Sequence, residues 1–299
     1  MSNKLLLSNY VKPSVFNYGI DTINASSLWK DSYWGQNVVT AVIDTGCDIQ
    51  HTSLKENIID SYNFTTDDNG EINSVTDYAG HGTHVAGIIS STNQEQKISI
   101  APKGKLLILK VLGKTGFNPF ENVIKAIQFA IEWRGQNGER VNIINLSLGV
   151  RSENNELREI VQEAVSKDIF VVAASGNSGD GSELTNEIMY PGYYEEVIQV
   201  SSVNRSLYPS FFNSTNKNID FLAPGEEIYS TYPNNNFTSL SGTSMAAPHV
   251  SGAIALLLSK FQSEASQDLN TSVYQYLKSH SSVLDNYTVY TQGNGILKL

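Results

Sequence analysis

Val38-Val39-Thr40-Ala41-Val42-Ile43 is β-branched and apolar at nearly every position, and it stops at Asp44-Thr45-Gly46. A strand with one face in water alternates; a continuous apolar run reads as a strand buried on both faces, the mark of a parallel sheet covered by helices. Asp44 then sits at the strand's C-terminal end, where ligands bind in open parallel sheets. Asp ahead of Gly is equally a turn former, so this position alone decides nothing.

The same pattern repeats outward from this strand. Residues 106–112, 141–148, 169–174 and 197–203 are further apolar strands, and residues 120–133 and 155–167 have helical spacing. Buried strands alternating with helices predict an α/β fold, a mainly parallel central β-sheet with helices on both faces. Residues 221–237 are more broken, with turns at Pro224-Gly225 and Pro233-Asn234. No linker, repeat or low-complexity run divides the 299 residues, and 40% hydrophobic content suffices for one large core.

Two more stretches carry polar groups into apolar surroundings. Ser241-Gly242-Thr243-Ser244-Met245-Ala246-Ala247-Pro248-His249-Val250-Ser251-Gly252 opens a segment reaching Phe261 that is apolar on nearly every side, which predicts a buried helix. Pro248 is expected in its first turns, where a missing N–H costs least. Ser244 sits at the front, where unpaired N–H groups lean toward negative charge. A serine there is commonly only a cap; it is also placed to act as a nucleophile beside an oxyanion site. The second stretch, Asp77-Tyr78-Ala79-Gly80-His81-Gly82-Thr83-His84-Val85-Ala86-Gly87, predicts a tightly packed helix beginning near His81. His81 and His84 are three apart, as metal ligands can be, but no Glu lies between them and no third ligand is near, so no metal is expected.

Bulk properties narrow the partners. The net charge is −10, and no basic stripe appears, which argues against nucleic acid and anionic membranes. No stretch approaches the roughly 18 apolar residues of a membrane span. Cys47 is the single cysteine, so no internal disulfide forms. It reads as a small buried hydrophobe, with a redox- or mercurial-sensitive switch as the sharper alternative. Near the N-terminus the one apolar run, Leu5-Leu6-Leu7, is too short for a secretory signal, so a cytoplasmic location is expected.

Asp44, His81 and Ser244 each stand at an element end in a glycine-bearing context. Acyl transfer needs this trio: a hydroxyl nucleophile, an imidazole to take its proton and a carboxylate to orient the imidazole. Three chain orders of the trio are known, and Asp…His…Ser is the subtilisin order. Val42-Ile43-Asp44-Thr45-Gly46, His81-Gly82-Thr83-His84-Val85-Ala86-Gly87 and Gly242-Thr243-Ser244-Met245-Ala246-Ala247-Pro248-His249-Val250 resemble the three signature motifs of the subtilisin family. Similarity continues through Ile100-Ala101-Pro102, Leu109-Lys110-Val111-Leu112, Asn145-Leu146-Ser147-Leu148-Gly149, Ala174-Ser175-Gly176-Asn177 and Phe221-Leu222-Ala223-Pro224-Gly225, from about Trp29 onward.

The resemblance implies a subtilisin-like serine endopeptidase with a three-layer α/β fold, residues 1–28 forming an N-terminal extension and 29–299 the peptidase domain. It implies Ser244 as nucleophile, His81 as general base and then acid, and Asp44 as orienter. Asn177 matches the oxyanion-hole asparagine, acting with the Ser244 N–H. Segments containing Gly113 and Gly116, and Ser147-Leu148-Gly149, resemble the two strands that hold an extended peptide or protein substrate. Val150 stands where many relatives have a second glycine, and Met189 where a small residue floors the pocket for the side chain before the scissile bond. Both imply a narrower pocket, less suited to large aromatic residues. Ser178 stands where relatives often carry Glu.

Other departures concern calcium and activation. Ser53 occupies the position of an Asp in the family's strong calcium site, and the loop Asn93-Gln94-Glu95-Gln96-Lys97 looks short and bears a lysine. That site is expected to be lost and no cofactor is expected, though a weaker calcium site elsewhere stays open. Asp44 comes too early for a secretion signal and long pro-domain. The extension, with Leu5-Leu6-Leu7-Ser8-Asn9-Tyr10, is more like that of intracellular subtilisins, where a short segment can cover the active site. The altered pocket, the lost calcium site, the short chain and the Asn-rich composition favour a specialised processing peptidase, such as a lantibiotic leader peptidase acting on a leader peptide. A general intracellular subtilisin is the alternative, and a silent peptide-binding relative a third, which the presence of all four catalytic-type residues argues against.

Overall fold

Strands β1 (Val39–Asp44), β2 (Ile58–Asn63), β3 (Lys105–Lys110), β4 (Val141–Leu146), β5 (Phe170–Ala174), β6 (Ile198–Val203) and β7 (Ile219–Pro224) form one parallel sheet in the order β2-β3-β1-β4-β5-β6-β7. The computed structural model describes residues 16–93, 97–114, 120–263 and 268–299. An antiparallel hairpin, β8 (Ile228–Tyr232) and β9 (Asn236–Leu240), stands apart from the sheet. The helices are α1 (Gly19–Thr22), α2 (His81–Ile89), α3 (Phe120–Glu132), α4 (Asn155–Ser166), α5 (Thr243–Ser263), α6 (Leu269–His280) and α7 (Val289–Gln292).

Both faces of the sheet are covered, which is why its central strands lack alternation. Val39, Ala41 and Ile43 of β1, with Leu107, Leu109, Ile144, Leu146, Val171 and Ala173, bury one face. Against it lie α3 (Val123, Ala126, Ile127, Ala130) and α4 (Leu157, Ile160, Val161, Ala164), each apolar at three- and four-residue spacing. On the opposite face Ile143, Val172, Ala174, Val200, Phe221 and Ala223 meet α5. Val42, Leu106 and Ile108 meet α2 there. Residues 16–28, assigned above to the extension, contribute Ile20, Ile23, Ala25 and Leu28 to the α5 core.

The predicted strands and helices all form, with ends that differ by a residue or two. Several elements lacked a sequence signal, β2, β7, the hairpin β8–β9 and α6 among them. The edge strand β2 reads Ile-Ile-Asp-Ser-Tyr-Asn and is only half-buried. The hairpin β8–β9 falls in the broken region and turns through Asn234 and Asn235, both at positive φ. Helix α6 buries only Val273 and Leu277, and Asp268 caps it by accepting from the Thr271 N–H at 3.1 Å.

Helix α5 is buried all round: Ala253, Ile254, Ala255, Leu256 and Leu257 are inaccessible. Pro248 lies deeper in the helix than expected. The helix starts at Thr243, so Pro248 is its sixth residue, past the free first turn. The missing N–H therefore deprives the Ser244 carbonyl, four residues back, of its helical donor. Another donor satisfies that carbonyl, as described below. Among the described residues, no helix is long and apolar enough to cross a membrane.

Candidate active site

The sheet delivers three polar positions to one edge, the C-terminal ends of the neighbouring strands β1, β4 and β5. Asp44 closes β1, and helix α2 begins at His81. Their approach depends on Gly82, where a Cβ would lie 2.1 Å from the Gly46 carbonyl oxygen and 3.2 Å from Asp44 Cβ. With that contact open, His81 Nδ1 meets Asp44 Oδ1 at 2.7 Å. The Asp44 side chain is 1% exposed and that of His81 29%. Asp44 Oδ1 also accepts the Thr45 N–H at 2.7 Å, while Oδ2 is buried without a partner among the described residues. Burial works against the imidazolium, but the adjoining Asp44 carboxylate, its hydrogen bond and the nearby Asp77 outweigh it. The His81 pKa is raised above the ordinary value.

His84 does not share this site. Its Nε2 bonds the carbonyls of Ile228 and Thr238 at 2.9 and 3.2 Å, and burial pushes its pKa down to about 3. The two histidines on α2 therefore face different partners, with no common metal position.

Ser244 is held by neutral groups. Its carbonyl, orphaned by Pro248, accepts from Ser147 Oγ at 2.8 Å. Ser147 Oγ accepts from Asn145 Nδ2 at 3.0 Å, and Asn145 Oδ1 accepts from Ser251 Oγ at 2.8 Å. This buried chain ties the end of β4 to α5. The Ser244 hydroxyl donates to the Ser147 carbonyl at 3.1 Å and not to His81. Such bonds are often unformed until substrate binds.

Asn177 follows β5. Its Oδ1 accepts from both the N–H and the hydroxyl of Thr243, each at 2.9 Å. Two donors on Oδ1 settle which way the amide faces, and Nδ2 is left without a partner among the described residues. The Ser244 N–H lies in the first turn of α5, where backbone donors lack helical acceptors.

Around this edge lie the expected substrate residues. Val150 pairs with Tyr190, with N–H to carbonyl distances of 2.9 and 2.7 Å. Met189, just before Tyr190, packs across the gap between Gly149 and Gly176. A Cβ on Gly149 would lie 3.5 Å from Met189 Cε, and one on Gly176 would lie 2.5 Å from Met189 Cγ. Leu148 and Gly149 are half-buried beside them. Gly113 adjoins Asp67, whose Oδ2 accepts the Lys114 N–H at 2.9 Å. Ser178 is exposed, its N–H reaching Ser214 Oγ at 3.3 Å. Gly116, the segment 5–10 and residues 94–96 of the expected calcium loop lie outside the described residues.

Ser53 is buried, its N–H donating to His51 Nδ1 and its carbonyl accepting from Thr92, so it offers no anionic oxygen. Among the described residues, no three His, Cys, Asp or Glu side chains gather as a metal would need. Cys47 is buried, and burial with the nearby Asp77 raises its thiol pKa well above the usual range, which disfavours the reactive thiolate. Sequence reading passed over Thr45, Asp77, Asn145, Thr243 and Ser251. Of these, Asp77 carried the signal of a cap-type residue just ahead of a helix, and Thr45, Asn145 and Thr243 lie inside the family-like motifs.

A parallel sheet with a buried Asp–His pair and a serine heading a buried helix defines a subtilisin-like α/β peptidase, and the chain belongs to the subtilase family, whose model matches residues 35–295. It is a serine endopeptidase. It is 45% identical over 284 residues to the major intracellular serine protease of Bacillus subtilis (strain 168), covering 94% of this chain and 87% of that protein. It is 42% identical over 283 residues to an intracellular serine protease of Paenibacillus polymyxa, covering 94% and 84%. Subtilisin DY of Bacillus licheniformis is 42% identical over 246 residues, covering 82% and 85%.

Proposed function

We propose that this chain is a general intracellular endopeptidase acting through Asp44, His81, Ser244 and Asn177. The observation that carries this reading is the buried Asp44 carboxylate 2.7 Å from His81 Nδ1, with Ser244 heading α5. Ser244 Oγ attacks the scissile carbonyl carbon as His81 Nε2 takes its proton. Asp44 keeps the other proton on Nδ1 and stabilises the imidazolium. The carbonyl oxygen becomes an oxyanion, with Asn177 Nδ2 and the Ser244 N–H as its donors. His81 then protonates the leaving amine. A water, deprotonated by the same imidazole, hydrolyses the acyl-enzyme and frees Ser244. Every step uses side-chain and backbone groups of this chain and calls on no cofactor.

The segment that begins at Gly113 and residues 147–150 hold the substrate as an extended strand between them. Met189, lying across Gly149 and Gly176, favours a small or slender residue before the scissile bond. The two relatives named intracellular proteases, at 45% and 42% identity over 94% of the chain, support general intracellular proteolysis over the leader-processing role.

The test is a cleavage profile on a diverse peptide mixture, read by mass spectrometry, for the wild type, Ser244→Ala and Met189→Gly. We expect many unrelated sites with small residues before the bond, none in Ser244→Ala, and a shift toward aromatic residues in Met189→Gly. A few cuts sharing several residues before the bond would restore the processing role. Cuts surviving Ser244→Ala would remove the nucleophile.

A further inference from the structure

The carboxylate richest in hydrogen bonds at this site belongs to Asp77, not to Asp44. Asp77 is 6% exposed. Its Oδ1 accepts from Thr45 Oγ at 2.8 Å, the Gly80 N–H at 2.8 Å and the Ala79 N–H at 3.2 Å. Oδ2 accepts from the Thr83 N–H at 2.8 Å and Thr83 Oγ at 2.7 Å. All five partners donate, which suits an anion.

A helix cap needs only the N–H contacts of α2's first turn. The bond to Thr45 goes further. Thr45 follows Asp44 directly: its N–H donates to Asp44 Oδ1, the oxygen that meets His81, and its Oγ accepts the Gly82 N–H at 2.9 Å. The bonds close a ring from Asp44 through Thr45 and Asp77 into the first turn of α2, and back through His81 to Asp44. The ring spans α2's first turn and the end of β1, so turning one against the other stretches bonds on both of its arms.

We infer that Asp77 is a positioning residue of the peptidase reaction, a second buried carboxylate that locks the Asp44–His81 pair in register through Thr45. This rests on the roles proposed above for Asp44 and His81. The negative charge of Asp77 also favours the His81 imidazolium, second in kind to Asp44. The other groups facing this cluster are the Cys47 thiol, Asp48, whose N–H donates to Thr83 Oγ, His84 one turn along α2, and Tyr232, whose ring abuts Gly80. None of them bonds both arms of the pair.

The test compares Asp77→Asn, Thr45→Val and Thr45→Ser with the wild type, measuring kcat and KM across pH on one peptide substrate, and thermal stability. Ser244→Ala serves as control. Thr45→Val keeps the charge of Asp77 and removes the link; we expect kcat to fall at least tenfold with KM within twofold. The acidic limb should stay in place, and Thr45→Ser should restore kcat. Asp77→Asn should lower kcat and move the acidic limb of kcat/KM to lower pH, because the imidazolium loses a stabilising charge. A folded Thr45→Val with wild-type kcat, or an Asp77→Asn whose limb does not move, overturns the inference. Should Asp77→Asn not fold, the Thr45 pair decides. Activity surviving in Ser244→Ala would instead sink the underlying peptidase assignment.

Discussion

The two sides of this active site are held by different chemistry. Where β1 meets α2, two buried carboxylates, Asp44 and Asp77, surround the His81 imidazole and the first turn of the helix. Where β4 meets α5, the groups that hold Ser244 are all neutral: Ser147, Asn145, Ser251, and Thr243 with Asn177. Each choice suits the charge that forms there in the proposed reaction. The imidazole becomes a cation, so nearby anions lower the barrier. On the serine side an oxyanion develops, and a carboxylate there would oppose it across a low-dielectric gap. Proline sharpens the contrast, since it frees the Ser244 carbonyl that Ser147 then satisfies.

The comparison is tested most severely by Asp44→Asn. The substitution preserves shape and removes the charge and tautomer control, so we expect kcat to fall by about 10⁴-fold with little change in KM. The acidic limb should also move down, because His81 loses the carboxylate that raises its pKa. Steady-state kinetics between pH 5 and 9 decide this, and a loss under tenfold would mean the charged side is not the demanding one.

A smaller effect is expected on the neutral side. Ser147→Ala leaves the Ser244 carbonyl without a donor inside the protein, a cost of about 1–3 kcal/mol. Thermal unfolding should show a lower Tm, and kcat should fall far less than in Asp44→Asn. A pH profile that shifted with Ser147→Ala would contradict the division, since no charge is removed.

The smallest expected effect concerns pH and stability, where the histidines of α2 act in opposite directions. His81 has a raised folded pKa, so its contribution is complete below the unfolded value of about 6.5 and is lost as pH rises through the folded one. His84 and His249 have folded values near 3 and 4, depressed by burial. Below about 6.5 the unfolded chain takes up their protons first, so stability falls with pH until the folded values are reached. Tm should therefore decline from pH 7 toward pH 4, and His84→Gln should flatten that decline. An unchanged slope would show that His84 does not set it.

The covered sheet was legible because β1, β3, β4, β5 and β6 are buried along nearly their whole length and are built mostly of β-branched and apolar residues. That holds even though β4 carries Asn142 and Asn145 and β6 carries Gln199, Ser201 and Ser202. The half-buried edge β2 and the Asn-turned hairpin β8–β9 were not, since their polar positions fit loops equally well. Asp44, His81, Ser244 and Asn177 were legible as motifs, which fix residue types and chain order.

What the sequence by itself determined is the class of this protein: an α/β peptidase with its serine at the head of an apolar helix and its Asp at a strand end. Hydrophobic periodicity, a property of neighbouring residues, suffices for the α/β pattern, and the peptidase class follows from the resemblance of three short motifs to the subtilisin family. Only the tertiary structure decided that Asp77 bonds Thr45, 32 residues away, and that Ser147 serves the Ser244 carbonyl, 97 residues away. A hydrogen bond is set by distances of about 3 Å between groups that the chain separates widely. Those distances exist only once α2 has packed against the end of β1 and α5 against the end of β4.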